Sequence, residues 1–218
     1  MSARTDAALV LSTPQTQWQA RASCAALGEQ LWYPDHSNGS FLEYLAYEGK
    51  NGPYWIGDLQ GPDGATFTAD GKTGYASREA RLPALCTQSA PLANLTYQDN
   101  STQWRTTVSS AQQSYTGFRD RFSFRFEGIR YAAQPERFTY SSVYTGTGHA
   151  DALEFRSECV QSGGVGSEDC LFLNIWSPYL PMSSQPSDRE LKPVMFWIHG
   201  KHHSGSAGSR LYIKADQS

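Results

Sequence analysis

The chain has 218 residues, of which 39% are hydrophobic, 13% aromatic and 18% charged, and its formal net charge is −3. This share of aromatic and aliphatic side chains can build a packed core, which excludes an intrinsically disordered chain. The slight negative charge offers no electrostatic basis for binding nucleic acid, and no apolar run approaches the roughly 18–20 residues of a membrane-spanning helix. We therefore expect neither a nucleic-acid partner nor stable membrane insertion.

The first part of the chain predicts a small α+β unit. Residues 15–31 are rich in alanine and other good helix formers, and Gly28 marks the expected end of a short helix. Residues 51–75 carry many glycines and prolines, which indicate turns around short strands such as Tyr54-Trp55-Ile56.

A polar segment separates this part from the rest of the chain. Residues 90–103 read APLANLTYQDNSTQ, a composition typical of a linker. We accordingly divide the chain into an N-terminal module over 1–90, a linker over 91–103 and a second domain over 104–218.

Two strands are predicted in the second domain from period-two patterns. In RFSFRFEG, Phe122, Phe124 and Phe126 alternate with polar residues, which predicts a half-buried strand. In CLFLNIWSP, residues 171, 173 and 175 share one face of a strand, and Pro178 ends it.

The segment KPVMFWIHG predicts a third strand of a different kind. Its apolar run from Val194 to Ile198 is continuous and is bounded by Pro193 and Gly200. Continuous apolar runs of this length are typical of strands buried on both faces inside a mostly parallel sheet.

The cysteines and glycosylation sequons favour the secretory route. Asn38, Asn94 and Asn100 each begin an Asn-x-Ser/Thr sequon, and an even number of cysteines without Cys-x-x-Cys spacing fits disulfides better than zinc. We expect a secreted glycoprotein. Since the apolar stretch AALVLS near the N-terminus is too short for a signal-peptide core, we expect the natural start to lie upstream.

Four sequence blocks resemble one family. The blocks FEGIRYA (126–132), PERF (135–138), GSEDCLFLNIWSP (166–178) and PVMFWIHG (193–200) occur in this order. Together they resemble the N-terminal part of type-B carboxylesterases, the family of cholinesterases and fungal lipases. The resemblance implies an α/β fold, here an incomplete α/β-hydrolase sheet preceded by a small α+β module, with an ester or lipid substrate and no cofactor.

The resemblance also implies roles for individual residues. It implies a disulfide between Cys159 and Cys170, and structural ion pairing for Glu168 and Asp169. The family usually has proline in Gly-Ile-Pro-Tyr-Ala where this chain has Arg130, and we expect this departure to matter little.

The loop after His199 departs from the family at its most important positions. In the family, consecutive glycines here direct backbone N–H groups at the oxyanion of the reacting ester. Gly200 is present, but Lys201 and His202 occupy the positions of the donor glycines. We therefore expect an altered oxyanion loop.

Other catalytic parts are not found in the sequence. The chain contains no Gly-x-Ser-x-Gly nucleophile elbow, so we assign no catalytic residue and expect no ester hydrolysis by this chain. A metal site formed by His199, His202 and His203 is an alternative, although solvated loop histidines explain them better. A phosphate loop at Gly71-Lys72-Thr73 is disfavoured because the first glycine of the motif is missing, with Thr66 in its place.

The first ninety residues carry a weaker resemblance. CAALGEQL (24–31), YWIGD (54–58) and LPALC (82–86) resemble parts of a C-type-lectin-like fold, which implies a disulfide between Cys24 and Cys86. Similar extensions precede the esterase part in some fungal carboxylesterases. Because calcium-binding triplets are missing from the sequence, we expect a degenerate module that serves as a structural cap rather than a carbohydrate-binding domain.

The sequence thus predicts the N-terminal portion of a secreted carboxylic-ester hydrolase that works through a serine acyl-enzyme. The alternative is a non-catalytic esterase-like protein that uses the scaffold for binding or adhesion. The oligomeric state is left open.

Overall fold

The computed structural model describes residues 7–34, 40–57, 63–94, 96–110, 112–161, 163–178, 180 and 193–198. The chain divides into two compact units, unit 1 over 1–92 and unit 2 over 93–218. Its helices and strands, in chain order, are β1 (Ala8–Gln15), α1 (Gln17–Ala26), α2 (Ser40–Tyr47), β2 (Tyr54–Trp55), β3 (Gly64–Phe67), β4 (Thr73–Ala76), β5 (Leu82–Thr87), a 3-10 helix (Thr102–Trp104), β6 (Arg105–Ser110), β7 (Gln113–Arg119), β8 (Phe124–Arg130), β9 (Gly148–Asp151) and β10 (Phe172–Ser177).

Unit 1 is a five-stranded mixed sheet with two helices. The strand order is β1-β5-β2-β3-β4, and only the β2–β5 pair in this sheet is parallel among the described strands. The short strands between glycine-rich turns confirm the prediction for residues 51–75.

Helix α1 is shorter than predicted and has a defined cap at its start and a glycine after its end. The Thr16 hydroxyl accepts the Gln19 backbone N–H, and the Gln19 side chain accepts the Thr16 N–H, which forms a capping box. The helix ends at Ala26, and Gly28 adopts a left-handed conformation with φ 73°. The predicted helix over 15–31 is therefore confirmed in its central part.

Unit 1 has an apolar core cluster. Its buried members are Trp32, Leu45, Tyr54, Ile56, Ala65, Phe67, Ala69 and Leu85. Cys24 of α1 and Cys86 of β5 form a fully buried disulfide, which is the pair that the lectin-like resemblance implies.

Unit 2 is a second five-stranded sheet. Its order is β10-β8-β7-β6, and β9 pairs in parallel with the first half of β7. The other described pairs are antiparallel. Mixed sheets with few helices are compatible with part of an α/β-hydrolase fold.

Two glycines let the strands of unit 2 approach closely. A side chain at Gly117 would lie 2.1 Å from the Arg125 carbonyl oxygen. Gly128 has φ 78° and lies at a β-bulge in β8, where its N–H donates to the Asn174 side-chain oxygen. The bulge changes the register between β8 and β10.

The strand predicted in RFSFRFEG is present from Phe124 onwards, but its start and its half-burial were predicted wrongly. Phe124 and Phe126 are buried, but Phe122 lies before β8 and is 54% exposed. Asp120 explains the difference, because its carboxylate accepts the backbone N–H groups of Phe122 and Ser123 and so fixes a turn there. The polar face of β8 is buried rather than solvated, since it carries an ion-pair cluster described below.

The predicted buried strand from Val194 to Ile198 is also wrong for this structure. Residues 193–198 form no strand, and the five apolar side chains are between 58% and 86% exposed. A strand of this kind is buried only when strands pair with both of its edges and helices cover both faces of the sheet. Within the described part of the chain, no strand pairs with this segment.

Candidate functional site

The family motifs meet where β8 and β10 pair. Arg130, at the end of β8, lies opposite Phe172, the first residue of β10. The Ser-Glu-Asp-Cys block precedes β10 directly. The antiparallel pairing therefore brings the block FEGIRYA against GSEDCLFLNIWSP.

Arg130 forms the central ion pair of this region. Its two terminal nitrogens, Nη1 and Nη2, each donate to one carboxylate oxygen of Asp169 at 2.7 Å. The guanidinium also lies 4.4 Å from the ring centre of Phe172 and 5.9 Å from that of Tyr144. These hydrogen bonds lower the pKa of Asp169 and raise that of Arg130.

Arg130 therefore makes contacts that the sequence analysis did not anticipate. Bidentate pairing and contact with aromatic rings are the geometries for which arginine is suited. A proline at this position has neither charge nor hydrogen-bond donor. Arg130 is a residue that ties β8 to the segment before β10.

Glu168 and Asp169 differ in their ion pairing. Glu168 is exposed and its carboxylate lies 3.9 Å from Arg137 Nη1, a distance at which an exposed pair contributes little. Asp169 has the short, bidentate pair with Arg130. Both carboxylates thus have arginine partners, as the resemblance implies, and Asp169 has the stronger one.

The loop between Cys159 and Cys170 folds back on itself. The two residues form a disulfide with a Cα–Cα distance of 4.8 Å, which is the pair that the resemblance implies. Gly166 has φ 108°, and a side chain there would lie 2.5 Å from the Cys159 carbonyl oxygen. Glycine is therefore required where the loop returns to its start.

An open groove of about 510 Å³ lies beside this region. Its walls combine aromatic and charged side chains, and they include Tyr115, Arg130, Tyr144, Arg156, Asp169 and Phe172. Since Arg130 and Asp169 already neutralise each other, the groove has no strong preference for either sign of charge.

Asp120, Arg125 and Glu127 form a buried charged cluster that the sequence analysis missed. Arg125 Nη2 lies 2.6 Å from Asp120 Oδ2, and Arg125 Nη1 lies 3.6 Å from Glu127 Oε1. All three residues are at most 5% exposed. Burial, as the largest influence, raises the pKa of Glu127 to about 7 even though Arg125 and Gln98 act in the opposite direction.

A hydroxyl, an imidazole and a carboxylate meet on β7 and β9. Ser114 Oγ lies 3.2 Å from His149 Nδ1, and His149 Nε2 lies 3.3 Å from Asp151 Oδ1. The His149 and Asp151 side chains are 52% and 63% exposed. Water competes for hydrogen bonds at this exposure, so we assign no nucleophile to Ser114.

The altered oxyanion loop cannot be placed. Gly200, Lys201 and His202 lie outside the described residues, and so do His199 and His203. Among the residues that the structure describes, no group of three or more histidine, cysteine or acidic side chains could hold a metal ion. Because its residues lie outside the described part of the chain, the altered oxyanion loop stays a prediction.

The alternative phosphate loop is not supported. Gly71 lies in the turn between β3 and β4, and Lys72 pairs with Asp70 at 2.6 Å. A strand rather than a helix begins at Thr73, so the helix N-terminus that binds phosphate in such loops is not formed here.

Two of the three predicted glycosylation sites are described. The Asn94 side-chain oxygen accepts the Thr96 backbone N–H and the Thr96 hydroxyl, and Asn94 is exposed. The Asn100 side-chain amide donates to the Leu153 carbonyl at 3.1 Å. Asn38 lies outside the described residues.

The family is decided by a sequence comparison. Residues 106–216, half of the chain, match the model of the carboxylesterase family. This chain belongs to the carboxylesterase family. No solved structure matches it, and none of its described helices is long and apolar enough to cross a membrane.

Several curated proteins share parts of this carboxylesterase-family chain. It is 36% identical over 81 residues to a bile salt-activated lipase of Bos taurus. This match covers 34% of the chain and 13% of the relative. It is 50% identical over 46 residues to acetylcholinesterase-1 of Trittame loki, and this match covers 21% of the chain and 8% of the relative. Over 99 residues it is 32% identical to thyroglobulin of Rattus norvegicus, and this match covers 41% of the chain and 3% of the relative. The matched segment thus spans a small fraction of each relative.

Proposed function

We propose that this chain is the N-terminal part of a secreted carboxylic-ester hydrolase of the serine acyl-enzyme type. The observation that carries the proposal is the family match over 106–216, which includes β8, β10 and the Cys159–Cys170 loop. The substrate class is a carboxylic ester or lipid, in agreement with the names of the lipase and acetylcholinesterase relatives.

In this proposal, unit 2 supplies the frame of the enzyme rather than its chemistry. Arg130, Asp169 and the Cys159–Cys170 disulfide hold the start of β10 against the end of β8. Since the chain contains no Gly-x-Ser-x-Gly and has Lys201 and His202 in its oxyanion loop, it does not hydrolyse esters itself.

Secretion and glycosylation are part of the same proposal. Two disulfides and no free cysteine among the described residues are compatible with an oxidising compartment. Of the described sequons, Asn94 is the better acceptor for a glycan because its side chain is exposed. The Asn100 amide would lose its hydrogen bond to the Leu153 carbonyl.

We propose the boundaries 1–90, 91–103 and 104–218 for the N-terminal module, the linker and the esterase portion. The degenerate lectin-like identity of the module rests on the quoted motifs and on the Cys24–Cys86 bridge, and a fungal type of esterase rests on the presence of such an extension. The module is proposed to be a structural cap.

A non-catalytic binding or adhesion protein is the second candidate. Its support is the similarity to thyroglobulin, a protein whose name denotes no hydrolase activity. The altered residues Lys201 and His202 suit this candidate equally well, because a binding protein has no need of oxyanion donors.

Activity-based labelling of the native protein distinguishes the two candidates. Secreted material is treated with a fluorophosphonate probe, which reacts with activated serines, and labelled proteins are identified from peptides of residues 106–178. We expect a labelled protein longer than the 24.1 kDa chain. If the peptides of residues 106–178 are found only in a protein that the probe does not label, the binding candidate is favoured. Heat-treated material, in which activated serines are lost, is the control for nonspecific labelling.

A further inference from the structure

One buried polar side chain in the groove of unit 2 has an unused hydrogen-bond donor. Gln113, the first residue of β7, is 9% exposed and lines the groove. The Tyr115 hydroxyl donates to Gln113 Oε1 at 2.8 Å, which leaves the amide nitrogen, Nε2, as the other end of the side chain. Within the described part of the chain, Nε2 donates to no group. Buried polar groups are ordinarily hydrogen-bonded, so this nitrogen is available to a bound molecule.

An aromatic ring lies directly beside this amide. A side chain at Gly146 would lie 2.3 Å from Gln113 Oε1 and 2.5 Å from Tyr144 Cε1, so the glycine lets the amide and the ring approach each other. The Tyr144 backbone N–H donates to the Tyr131 carbonyl at 3.2 Å, which fixes the position of Tyr144. Tyr144 lines the groove and is 40% exposed, so part of its ring is open to a ligand.

A guanidinium and a carboxylate add further hydrogen-bonding groups to the same groove. Arg156 crosses the bulge of β8, since a side chain at Gly128 would lie 2.7 Å from Arg156 Cγ. Its Nη2 donates to the Asp151 carbonyl at 3.5 Å, and no carboxylate of the described residues lies within ion-pair distance of it. Asp151 Oδ1 lies 3.3 Å from His149 Nε2, and the Asp151 side chain is 63% exposed. Arg156 and Asp151 can therefore bind a ligand without breaking a strong contact.

These groups select a neutral ligand with several hydroxyls. The charged side chains among the described wall residues are Arg130, Arg156, Asp151 and Asp169. An anion would meet two carboxylates there, and a cation would meet two guanidiniums. A purely apolar ligand would leave Gln113 Nε2 without a partner. A sugar avoids all three costs, because its hydroxyls both donate and accept hydrogen bonds while its C–H face packs on an aromatic ring.

We propose that the groove of unit 2 is a binding site for a neutral saccharide. Tyr144 packs against a sugar ring, Gln113 Nε2 and Arg156 donate to its hydroxyls, and Asp151 accepts from them. The groove volume of about 510 Å³ lies within the range of about 300–1,000 Å³ for small-molecule sites. Because the groove is open, a saccharide chain can extend beyond it. The site needs neither an ester nor a catalytic serine, so it is independent of the proposed hydrolase function.

Isothermal titration calorimetry of the full chain tests the site. The neutral ligands are cellotriose, mannotriose, maltotriose and tri-N-acetylchitotriose, and the anionic ones are trigalacturonate and inorganic phosphate. We expect at least one neutral trisaccharide to bind saturably at millimolar or lower concentration, and neither anion to bind as tightly. If no neutral trisaccharide binds, or if an anion binds more tightly, the proposal is wrong.

Three variants locate the binding. Gln113→Glu keeps the acceptor for the Tyr115 hydroxyl but lacks the Nε2 donor, and Tyr144→Ala removes the ring. Each should weaken binding by about tenfold or more. Tyr140→Ala is the matched control, because Tyr140 is a fully exposed aromatic residue of unit 2 outside the groove, and it should leave the affinity unchanged.

Circular dichroism verifies that each variant is folded. Because Tyr144 is partly exposed, Tyr144→Ala keeps the test decisive if Gln113→Glu fails to fold. Saccharide binding that survives Tyr144→Ala unchanged would place the site elsewhere in the chain and overturn the proposal. A loss of binding in Tyr140→Ala equal to that in Tyr144→Ala would overturn it as well.

Discussion

Both units bury apolar side chains, but they differ in the surroundings of their buried carboxylates. In unit 1 the carboxylate of Glu29 accepts hydrogen bonds from the Thr87 and Ser89 hydroxyls. Unit 1 has an apolar cluster and a fully buried disulfide between Cys24 and Cys86. Unit 2 buries the ion pairs of Arg125 and has a disulfide at an exposed loop between Cys159 and Cys170. Apolar burial stabilises at every pH, whereas buried charges stabilise only in one protonation state. Unit 2 should therefore be the unit that responds to solution conditions.

Removing the disulfides tests this comparison with the largest expected effect. The Cys24–Cys86 bridge spans 62 residues and the Cys159–Cys170 bridge spans 11. Loop-closure entropy predicts losses of about 4 and about 3 kcal/mol in the free energy of unfolding, respectively. Urea unfolding of the two double-alanine variants measures both. A larger loss for Cys159→Ala/Cys170→Ala would contradict the comparison.

The pH dependence of unit 2 is the next largest effect. The pKa of Glu127 is raised in the folded state to about 7 from 4.5, so its contribution to stability is fully present below pH 4.5 and is lost as the pH rises to 7. We expect the free energy of unfolding of unit 2 to fall by about 3 kcal/mol over this range.

Thermal unfolding at pH 4.5, 6 and 7.5 measures this change. Glu127→Gln is the matched control, because it removes the titration while keeping the shape of the side chain. If the stability of the wild type and that of the variant change equally with pH, Glu127 is not the group responsible for the pH dependence.

Arg130 should have the smallest effect. Arg130→Lys keeps the charge but loses the bidentate contact with Asp169 and the ring contact with Phe172. Because both partners are partly exposed, we expect a loss of about 1 kcal/mol or less. A double-mutant cycle with Asp169→Asn isolates the interaction, and a coupling free energy of zero would show that the pair is inert.

The comparison also shows which features the sequence could predict. Helix α1 and the short strands of unit 1 follow from local signals, namely a capping box and glycine-bounded runs. Strands β8 and β10 follow from their alternation. Such signals depend on neighbours in the sequence, so one chain is enough to find them.

The features that could not be predicted depend on contacts between distant residues. Nothing local distinguishes a buried arginine from a solvated one, and Arg125 is buried because Asp120 and Glu127 meet it in space. Arg130 gains its role only when β10 lies beside it. The exposure of residues 194–198 likewise follows from missing strand partners within the described chain, which the apolar run itself cannot reveal.

The most direct test of the central claim is an esterase assay of purified residues 1–218. The claim is that this chain frames an ester hydrolase of the family but carries no working nucleophile. With p-nitrophenyl butyrate we predict no turnover above a heat-treated control and no labelling by a fluorophosphonate. Saturable turnover that an organophosphate abolishes would contradict the account, and its loss in Ser114→Ala would trace the activity to the exposed Ser114–His149–Asp151 array.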